Sequence, residues 1–388
     1  MAIDLSNPVW PFVTEEQREA VDAFAKFCRN EIQPMQKLHR GQRDLPRGVL
    51  QPLLRKMIPF GLGNGRWPAA DGGLGLDPLT AGLLYEAGVQ NTCEIAQNAF
   101  INESVGLILS RFGSEAVKRK YLAPLGAGEC IAASANTEAS GGSDVSAVKT
   151  RATRKGSGYV ISGRKVWITN GQYADFVTVL ARSVETGQLD LYVVDRKEHG
   201  FDATPLETMG SISTAELAFD DIEVPQENRL GTDGKGLGAM LAQFQEARTF
   251  VALSAVGHAL AAQEAAIAYA RERTQFGAPI GAKQLIQAKL ADSQVEIDAA
   301  RLLCYRALEL ARQGRPCALE ASMAKLYATE AAQRVVDRAV QVHGGYGLSP
   351  EFGLEKLYRK AREGTVVEGT SEIQRLVIGK ALTGLSAF

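Results

Sequence analysis

Cysteine, histidine and the short signatures of metal and hydrolytic sites are scarce in this sequence. Its 388 residues include five cysteines, which stand far apart without a CxxC pair, and four histidines. No Cys/His spacing suits zinc, and neither HExxH nor GxSxG occurs, which excludes the common zinc and serine hydrolase sites. His39, His199 and His258 stand outside any catalytic pattern. We therefore expect no metal, and free cysteines typical of a reducing compartment.

An excess of charge of either sign is also lacking. Lys plus Arg number 43 against 44 Asp plus Glu, so the net charge of −1 predicts no attraction to nucleic acid or to an anionic membrane. The most apolar run, from Thr249 to Ala262, is too short to span a bilayer. The first residues, MAIDLSNPVWPFVTEE, are acidic and lack a basic region followed by an apolar one. We expect a soluble, cytoplasmic protein.

Three stretches of different texture predict domains in the order α, β, α. Residues 1–128 favour helices, because Thr14 and Gln17 form a capping box before an apolar helical stripe. A Gly-rich run at 61–75 interrupts this part and predicts a loop. The first domain is therefore helical.

The middle stretch, residues 129–235, changes to short runs rich in Val, Ile, Thr and aromatic residues: YVISGRKVWIT, DFVTVLARS, LDLYVVD and ELAFDDIEV. These runs predict strands of an all-β domain. No long helical period separates them and no GxGxxG occurs, so a Rossmann sheet is excluded.

Residues 236–388 return to long helical periods. One apolar stripe runs from Ile286 to Ala311 before Gly314, and another ends at Gly344. Several long helices joined by short connections predict a bundle.

Three segments combine residues that a simple fold does not demand: TEASGGSD with KVWITNG, QVHGGYG, and VVEGTSEIQR. Small residues let backbone amides approach a ligand, and the flat ring of Trp167 suits a planar anionic cofactor. Each segment also has a plain structural interpretation. These are a Gly-rich turn beside a core tryptophan, a helix C-cap at Gly344, and an N-cap at Thr370 or Ser371 with Glu368 in solvent.

Taken together, these segments resemble the acyl-CoA dehydrogenase family over nearly the whole chain. An Arg-x-x-Phe-Gly signature starts at Arg273, Gln284 follows it, and Glu368 comes 27 residues after Gln341. The resemblance implies an α+β fold with an N-terminal α-helical domain, a middle β-barrel and a C-terminal four-helix bundle. It also implies FAD between barrel and bundle, and a homotetramer, with a dimer as the fallback, in which a neighbouring subunit completes the FAD site.

The resemblance implies two sets of binding residues. For the substrate thioester they are Ser143, Arg248 and Gly369. The FAD contacts, of which Arg273, Gln275, Phe276 and Gln284 reach a neighbour's FAD, are Asn136, Thr137, Gly142, Ser143, Trp167, Thr169, Arg273, Gln275, Phe276, Gln284, Gln341, Gly344, Gly345, Thr370 and Glu372.

Glu368 matches the family's catalytic carboxylate. That residue removes the α-proton of an acyl thioester while the β-hydrogen leaves as hydride to flavin N5, which converts acyl-CoA to trans-2-enoyl-CoA. An α-proton of a thioester is weakly acidic, so a base in a water-poor pocket suits the task. Electron-transfer flavoprotein, or another acceptor, is the partner that the resemblance implies.

Some positions depart from the family pattern. Ala139 and Ser140 replace the usual Pro-Gly after Glu138, and Val367 precedes the base where an aromatic is frequent. No arginine for a distal carboxylate occurs at 94–96, which disfavours a dicarboxylic substrate. Two alternatives remain: a thioester carried by a carrier protein, and a flavin oxidase or monooxygenase on the same fold, which retention of Glu368 disfavours.

Overall fold

The computed structural model describes residues 12–39, 42, 44–210, 212–231 and 234–387. Residues 1–11, part of the segment from which the lack of an export signal is predicted, lie outside this range. The α-helices within it are α1 (Glu15–Phe27), α2 (Gln33–Leu38), α3 (Arg47–Met57), α4 (Pro78–Thr92), α5 (Glu94–Phe112), α6 (Glu115–Val117), α7 (Ala123–Gly126), α8 (Arg196–His199), α9 (Gly236–Glu272), α10 (Gln284–Arg312), α11 (Ala318–His343), α12 (Leu354–Gly364) and α13 (Ser371–Thr383).

The strands of the described chain lie mostly in its middle. They are β1 (Ala132–Ala135), β2 (Arg151–Lys155), β3 (Gly158–Ile168), β4 (Phe176–Ser183), β5 (Leu189–Asp195), β6 (Asp202–Pro205), β7 (Ala215–Pro225), β8 (Arg229–Leu230), β9 (Thr274–Gln275) and β10 (Ala278–Pro279). Eight strands form one sheet in the order β6-β7-β3-β2-β4-β5-β8, with β1 paired in parallel to β4. The four predicted strand runs are β3, β4, β5 and β7.

The sequence patterns gave no signal for the remaining strands of this sheet. β1, β6 and β8 are four residues or fewer. β2 reads RATRK, and of its five side chains only Ala152 is buried. Runs this short or this polar carry too little periodicity to be distinguished from loops, and neighbouring strands supply the pairing that makes them strands.

The chain divides into two compact units, each assembled from separate segments. The first comprises Met1–Gln42, Pro78–Cys93 and Gln245–Phe388, and the second comprises Arg43–Asp77 and Glu94–Phe244. The predicted domain boundaries, after residues 128 and 235, stay predictions.

Helix α9 is longer than the apolar run from Thr249 to Ala262 suggests. It has 37 residues and, by length and composition, is apolar enough to cross a membrane. However, 72% of its most apolar window is buried inside the protein, as expected of a core helix. The expectation that this region is too short for a bilayer is therefore corrected, and burial in the protein accounts for its apolar character.

A buried ionic cluster connects helices α4 and α10 in the first unit. The Glu86 carboxylate accepts hydrogen bonds from Arg301 Nε at 2.9 Å and from the Tyr305 hydroxyl at 2.9 Å. The Glu86 and Arg301 side chains are only 4% and 1% exposed. Because a buried charge without a partner is costly, this cluster fixes the register of the two helices.

Trp67 organises the Gly-rich loop of the second unit. It is fully buried, and its indole N–H donates to the Glu103 carbonyl oxygen at 2.8 Å. The Glu103 carboxylate accepts from the backbone and side chain of Arg66 at 2.9 and 3.0 Å. The predicted loop at 61–75 is thus held onto α5.

Gly106 on α5 provides the space for the Trp67 ring. A Cβ at Gly106 would overlap the indole ring, so we expect Gly106→Ala to lower the free energy of unfolding by about 1–3 kcal/mol. Gly379→Ala on α13 is the matched control, since no atom lies within 4 Å of its Cβ position. There the higher helix propensity of Ala predicts stabilisation by up to about 1 kcal/mol. Denaturant unfolding of both variants is the measurement, and equal effects would contradict this account.

Candidate active site

Glu368 and Gly369 form a strained turn between α12 and α13. Their φ angles are +53° and +90°, in the left-handed region that a glutamate rarely adopts. Thr370 caps α13, because its hydroxyl oxygen accepts from the Ile373 N–H at 3.3 Å. The N-cap interpretation of Thr370 is therefore confirmed.

The Glu368 carboxylate is not in solvent. The residue as a whole is partly exposed, but its Oε2 is buried and accepts no hydrogen bond. Burial raises the pKa of Glu368 to about 7, and the cations of Lys325 and Arg248 act against this rise. A carboxylate with a free buried oxygen and a pKa near neutrality is suited to general base chemistry.

Lys325 on α11 was not among the predicted site residues. It is fully buried, and its Nζ donates to the carbonyl oxygens of Gly364 at 3.1 Å and Gly369 at 2.6 Å. The Gln374 side chain also donates to the Gly369 carbonyl, at 2.9 Å. A signal was present in the sequence, because Lys325 stands on the apolar face of its helix, four residues after the buried Ala321.

Arg248 on α9 is the second cation that acts on Glu368. Its Nε is buried and has no hydrogen-bond partner. Burial lowers the pKa of Arg248, and the Glu368 carboxylate opposes this effect. Glu368, Lys325 and Arg248, all in the first unit, thus form one charged cluster. Glu368 Oε2 and Arg248 Nε in it have no hydrogen-bond partner in the protein.

A second group of predicted residues forms an exposed hairpin. Thr274–Gln275 pairs with Ala278–Pro279, and Phe276 at the turn is 96% exposed, with a φ of +52°. Arg273 and Gln275 are exposed as well, as is Gln284 at the start of α10. An apolar ring on the tip of a hairpin contributes nothing to the core, so it is available for a ligand or another chain.

The QVHGGYG segment ends α11 at a glycine turn. Gly344 has a φ of +60°, and no atom lies within 4 Å of the Cβ positions of Gly344 and Gly345. The preceding His343 stacks on Tyr269 with ring centroids 4.2 Å apart, and its buried Nε2 has no hydrogen-bond partner. The C-cap interpretation is confirmed, and the open space beside both glycines is compatible with a ligand.

Glu372, in the first turn of α13, also lies in the first unit. The second unit carries the predicted residues between 136 and 169, including the TEASGGSD segment. The buried Glu138 carboxylate accepts from Lys149 N–H and Thr150 N–H, both at 2.8 Å, and from Lys165 Nζ at 2.9 Å. Lys165 also donates to the Asn136 carbonyl at 3.0 Å. These bonds hold residues 136–138 in place and leave Gly142 and Ser143 exposed.

Both members of this buried pair have shifted pKa values. Burial alone raises the pKa of Glu138, but the hydrogen bonds from Thr150, Lys149 and Lys165 outweigh burial and hold it below its ordinary value. Burial lowers the pKa of Lys165 to about 8, against the attraction of Glu138. Lys165 was not among the predicted site residues, although a lysine next to the apolar residues of KVWIT indicates a buried charge.

Trp167 is not a core tryptophan. It is 58% exposed and has a φ of +61° at the end of β3, close to Thr169 in the chain. The turn that follows is anchored by the buried Asn170, whose side-chain amide donates to the carbonyl oxygens of Asn98 and Ala132, each at 3.1 Å. An exposed aromatic ring on a rigid strand is a suitable platform for a planar ligand.

Family models of all three acyl-CoA dehydrogenase domains match this chain. The N-terminal domain matches residues 14–129, the middle domain 133–222 and the C-terminal domain 234–383. The chain belongs to the acyl-CoA dehydrogenase family. The predicted resemblance and fold class are therefore confirmed, and the protein is an oxidoreductase of this type.

Curated relatives cover most of the chain. An acyl-CoA dehydrogenase of Bacillus subtilis is 36% identical over 379 residues, covering 96% of this chain and 99% of the relative. The caffeyl-CoA reductase-Etf complex subunit CarC of Acetobacterium woodii is 36% identical over 340 residues, covering 86% of this chain and 89% of the relative.

Solved structures of similar proteins have the same fold as this chain. Butyryl-CoA dehydrogenase of Megasphaera elsdenii has a TM-score of 0.89 at 32% identity, covering 96% of this chain and all of its own. A glutaryl-CoA dehydrogenase of Mycobacterium smegmatis in complex with FADH2 has a TM-score of 0.91 at 28% identity, covering 97% and 96%. The prolyl acyl carrier protein oxidase AnaB has a TM-score of 0.86 at 30% identity, covering 97% and 100%.

The buried Glu138–Lys165 pair predicts a large stability effect. Glu138→Gln leaves the Lys165 cation buried without its counter-charge, so we expect the free energy of unfolding to fall by about 3 kcal/mol or more. The control is Glu223→Gln in the Lys155–Glu223 pair of the same sheet, whose side chains are 63% and 68% exposed. An exposed pair contributes at most about 1 kcal/mol. Denaturant unfolding compares the two, and a Glu138→Gln variant as stable as Glu223→Gln would refute the role given to the pair.

Proposed function

We propose that this protein catalyses the FAD-dependent α,β-dehydrogenation of an acyl thioester, converting acyl-CoA to trans-2-enoyl-CoA, with Glu368 as the base. The observation that carries this proposal is the buried Oε2 of Glu368, which accepts no hydrogen bond from the protein. Membership of the acyl-CoA dehydrogenase family supports the reaction class.

Glu368 Oε2 takes the α-proton of the thioester. With a pKa of about 7, the carboxylate is about half ionised at neutral pH and basic enough to compete for a carbon-bound proton. Its left-handed turn is held by bonds to the Gly369 carbonyl, so the base is positioned before substrate arrives. Ser143, Arg248 and Gly369 bind the thioester in this proposal.

The described residues fit FAD as the cofactor. FAD, when bound, supplies the acceptor for the β-hydrogen, which leaves with its electron pair. Trp167 and Thr169 present a platform for a planar ring, and the exposed Gly142 and Ser143 present small residues beside a rigid segment. The buried Oδ1 of Asn136 lacks a hydrogen-bond partner and is an acceptor for a ligand donor. The FADH2 complex of a solved relative supports this assignment.

The remaining cofactor residues divide between one subunit and its neighbour. Thr370 and Glu372 contact the FAD of their own subunit. The exposed hairpin residues Arg273, Gln275 and Phe276, with Gln284 and the loop residues Gln341, Gly344 and Gly345, contact the FAD of a neighbouring copy in a homotetramer. Support comes from the 96% exposure of Phe276 at the tip of the hairpin, where its ring is available to another chain.

Electrons leave through an electron-transfer flavoprotein in this proposal. A relative 36% identical is named as a subunit of a reductase-Etf complex, which supports that class of partner. The second candidate function is oxidation of an acyl group carried on a carrier protein. The similarity to a prolyl acyl carrier protein oxidase at a TM-score of 0.86 favours it as the alternative.

A substrate screen tests the reaction class. We expect one or more acyl-CoA thioesters to bleach the flavin band under anaerobic conditions, with little oxygen uptake by the same samples in air. Rapid oxygen uptake, or bleaching by carrier-bound acyl groups alone, would favour the alternative function. A protein that neither contains nor takes up FAD would contradict the proposal.

Replacement of the base provides the sharper test. Glu368→Gln keeps the size of the side chain but removes its basicity, so the rate of flavin reduction should fall roughly 10²–10⁴-fold while FAD stays bound. In the parent protein the same rate at low substrate should rise with pH through about 7, because only ionised Glu368 accepts a proton.

Glu355→Gln on α12 is the matched control, because Glu355 pairs with Arg359 and takes no part in the proposed site. We expect it to reduce its flavin at the parental rate. If Glu368→Gln does the same, then the base lies elsewhere.

FAD retention and oligomeric state test the assignment of the hairpin residues to a neighbour's FAD. Arg273→Ala removes a guanidinium that can fork onto phosphate oxygens, so we expect fewer than the parental one FAD per chain after gel filtration. Arg151→Ala, an exposed arginine of β2, is the control and should retain full FAD. Light scattering should give a tetramer, and an active monomer would contradict the assignment of these residues to a neighbour's cofactor.

A further inference from the structure

A fully buried lysine lies directly beneath the turn that carries Glu368. Lys325 Nζ donates to the Gly364 carbonyl at 3.1 Å and to the Gly369 carbonyl at 2.6 Å. Gly364 is the last residue of α12, and Gly369 follows Glu368. The two bonds therefore connect both ends of the turn, residues 364–369, to one point on α11.

The turn needs such a connection because its backbone is strained. Two successive residues, Glu368 and Gly369, have positive φ angles. A glutamate adopts this conformation only where the surroundings determine it. From the adjoining α13, the Ser371 N–H donates to the Thr365 carbonyl at 3.0 Å, and the Gln374 side chain donates to the Gly369 carbonyl at 2.9 Å. Lys325 adds bonds to the turn from α11, which is distant in the chain.

Lys325 also brings a charge to this place. Burying an ammonium group is costly, and a serine or amide could have donated to a carbonyl without that cost. Glu368 is the carboxylate that attracts Lys325 most, ahead of Glu372 on α13, while Arg248 on α9 repels it. Burial lowers the pKa of Lys325 to about 8, so the group is still mostly charged at neutral pH.

We propose that Lys325 is a positioning residue for the base: its two hydrogen bonds hold the turn of Glu368, and its positive charge stabilises the Glu368 carboxylate. This inference rests on the proposed function of Glu368. The charged groups that act on Glu368 are Lys325 from α11 and Arg248 from α9, and both favour its ionised form.

Two variants separate the charge from the hydrogen bonds. Lys325→Met removes both, whereas Lys325→Gln removes the charge and keeps an N–H donor. Loss of the cation makes the carboxylate harder to ionise, so in both variants the pH midpoint of flavin reduction by an acyl-CoA should move upward by about one unit or more. At pH 7 a one-unit rise lowers the ionised fraction of Glu368 from about one half to about one tenth, so the rate should fall by about fivefold or more and recover in part at higher pH.

Hydrogen exchange reports on the turn independently of activity. In Lys325→Met the amides of residues 364–371 should exchange faster than in the parent, and in Lys325→Gln they should stay closer to the parental rate. A merely structural lysine would change stability without moving the pH midpoint.

Lys360→Met is the matched control. Lys360 on α12 is also buried, at 1% exposure, but its Nζ pairs with Glu363 at 3.2 Å and its charge acts on His258. We expect Lys360→Met to keep the parental pH midpoint of flavin reduction. If Lys325→Met does not retain FAD, the pH dependence of flavin reduction by Lys325→Gln tests the proposal.

Glu368→Gln is measured in the same experiment, to distinguish failure of the inference about Lys325 from failure of the base assignment. If Glu368→Gln is inactive and the Lys325 variants keep the parental midpoint, the inference about Lys325 is overturned and the base assignment stands. If Glu368→Gln reduces flavin at the parental rate, both are overturned.

Discussion

Each of the two units contains one buried lysine that holds a segment of the proposed site, residues 136–138 in the second unit and residues 364–369 in the first. In the second unit Lys165 donates to the Asn136 carbonyl, and in the first Lys325 donates to the Gly369 carbonyl. A buried ammonium group must satisfy its hydrogen-bonding capacity, so each lysine constrains the backbone around it. The turns that carry the proposed chemistry have irregular backbones and depend on this constraint.

Burial also makes a polar atom without a hydrogen-bond partner costly, so such atoms need an explanation. Most buried polar atoms in proteins have partners. Glu368 Oε2, Arg248 Nε and Asn136 Oδ1 are buried without one. These three, among several such atoms in the described chain, belong to segments that the family resemblance assigns to substrate or cofactor. An unsatisfied polar atom costs free energy in the empty protein, and binding of a ligand that donates or accepts there recovers it.

Relatives named as dehydrogenases and as reductases match this chain to a similar degree. The proposed chemistry accommodates both names, because a carboxylate that takes an α-proton in one direction returns it in the other. A group with a pKa of about 7, as Glu368 has, serves either direction near neutral pH. The direction of turnover is then set by the electron acceptor or donor and not by the base.

The sequence alone determined the order of helical and β segments, four strands of the sheet and the cap at Thr14, because these features depend on periodicity and on neighbours within a few residues. It limited the second cap to Thr370 or Ser371, and the structure places it at Thr370. It also indicated Glu368, since a motif with fixed spacing is a local pattern. Only the tertiary structure decided that Lys325 lies under that turn and that Trp167 is exposed. Burial and partners come from segments distant in the chain, and no local pattern encodes which side chain from another helix reaches a given carbonyl.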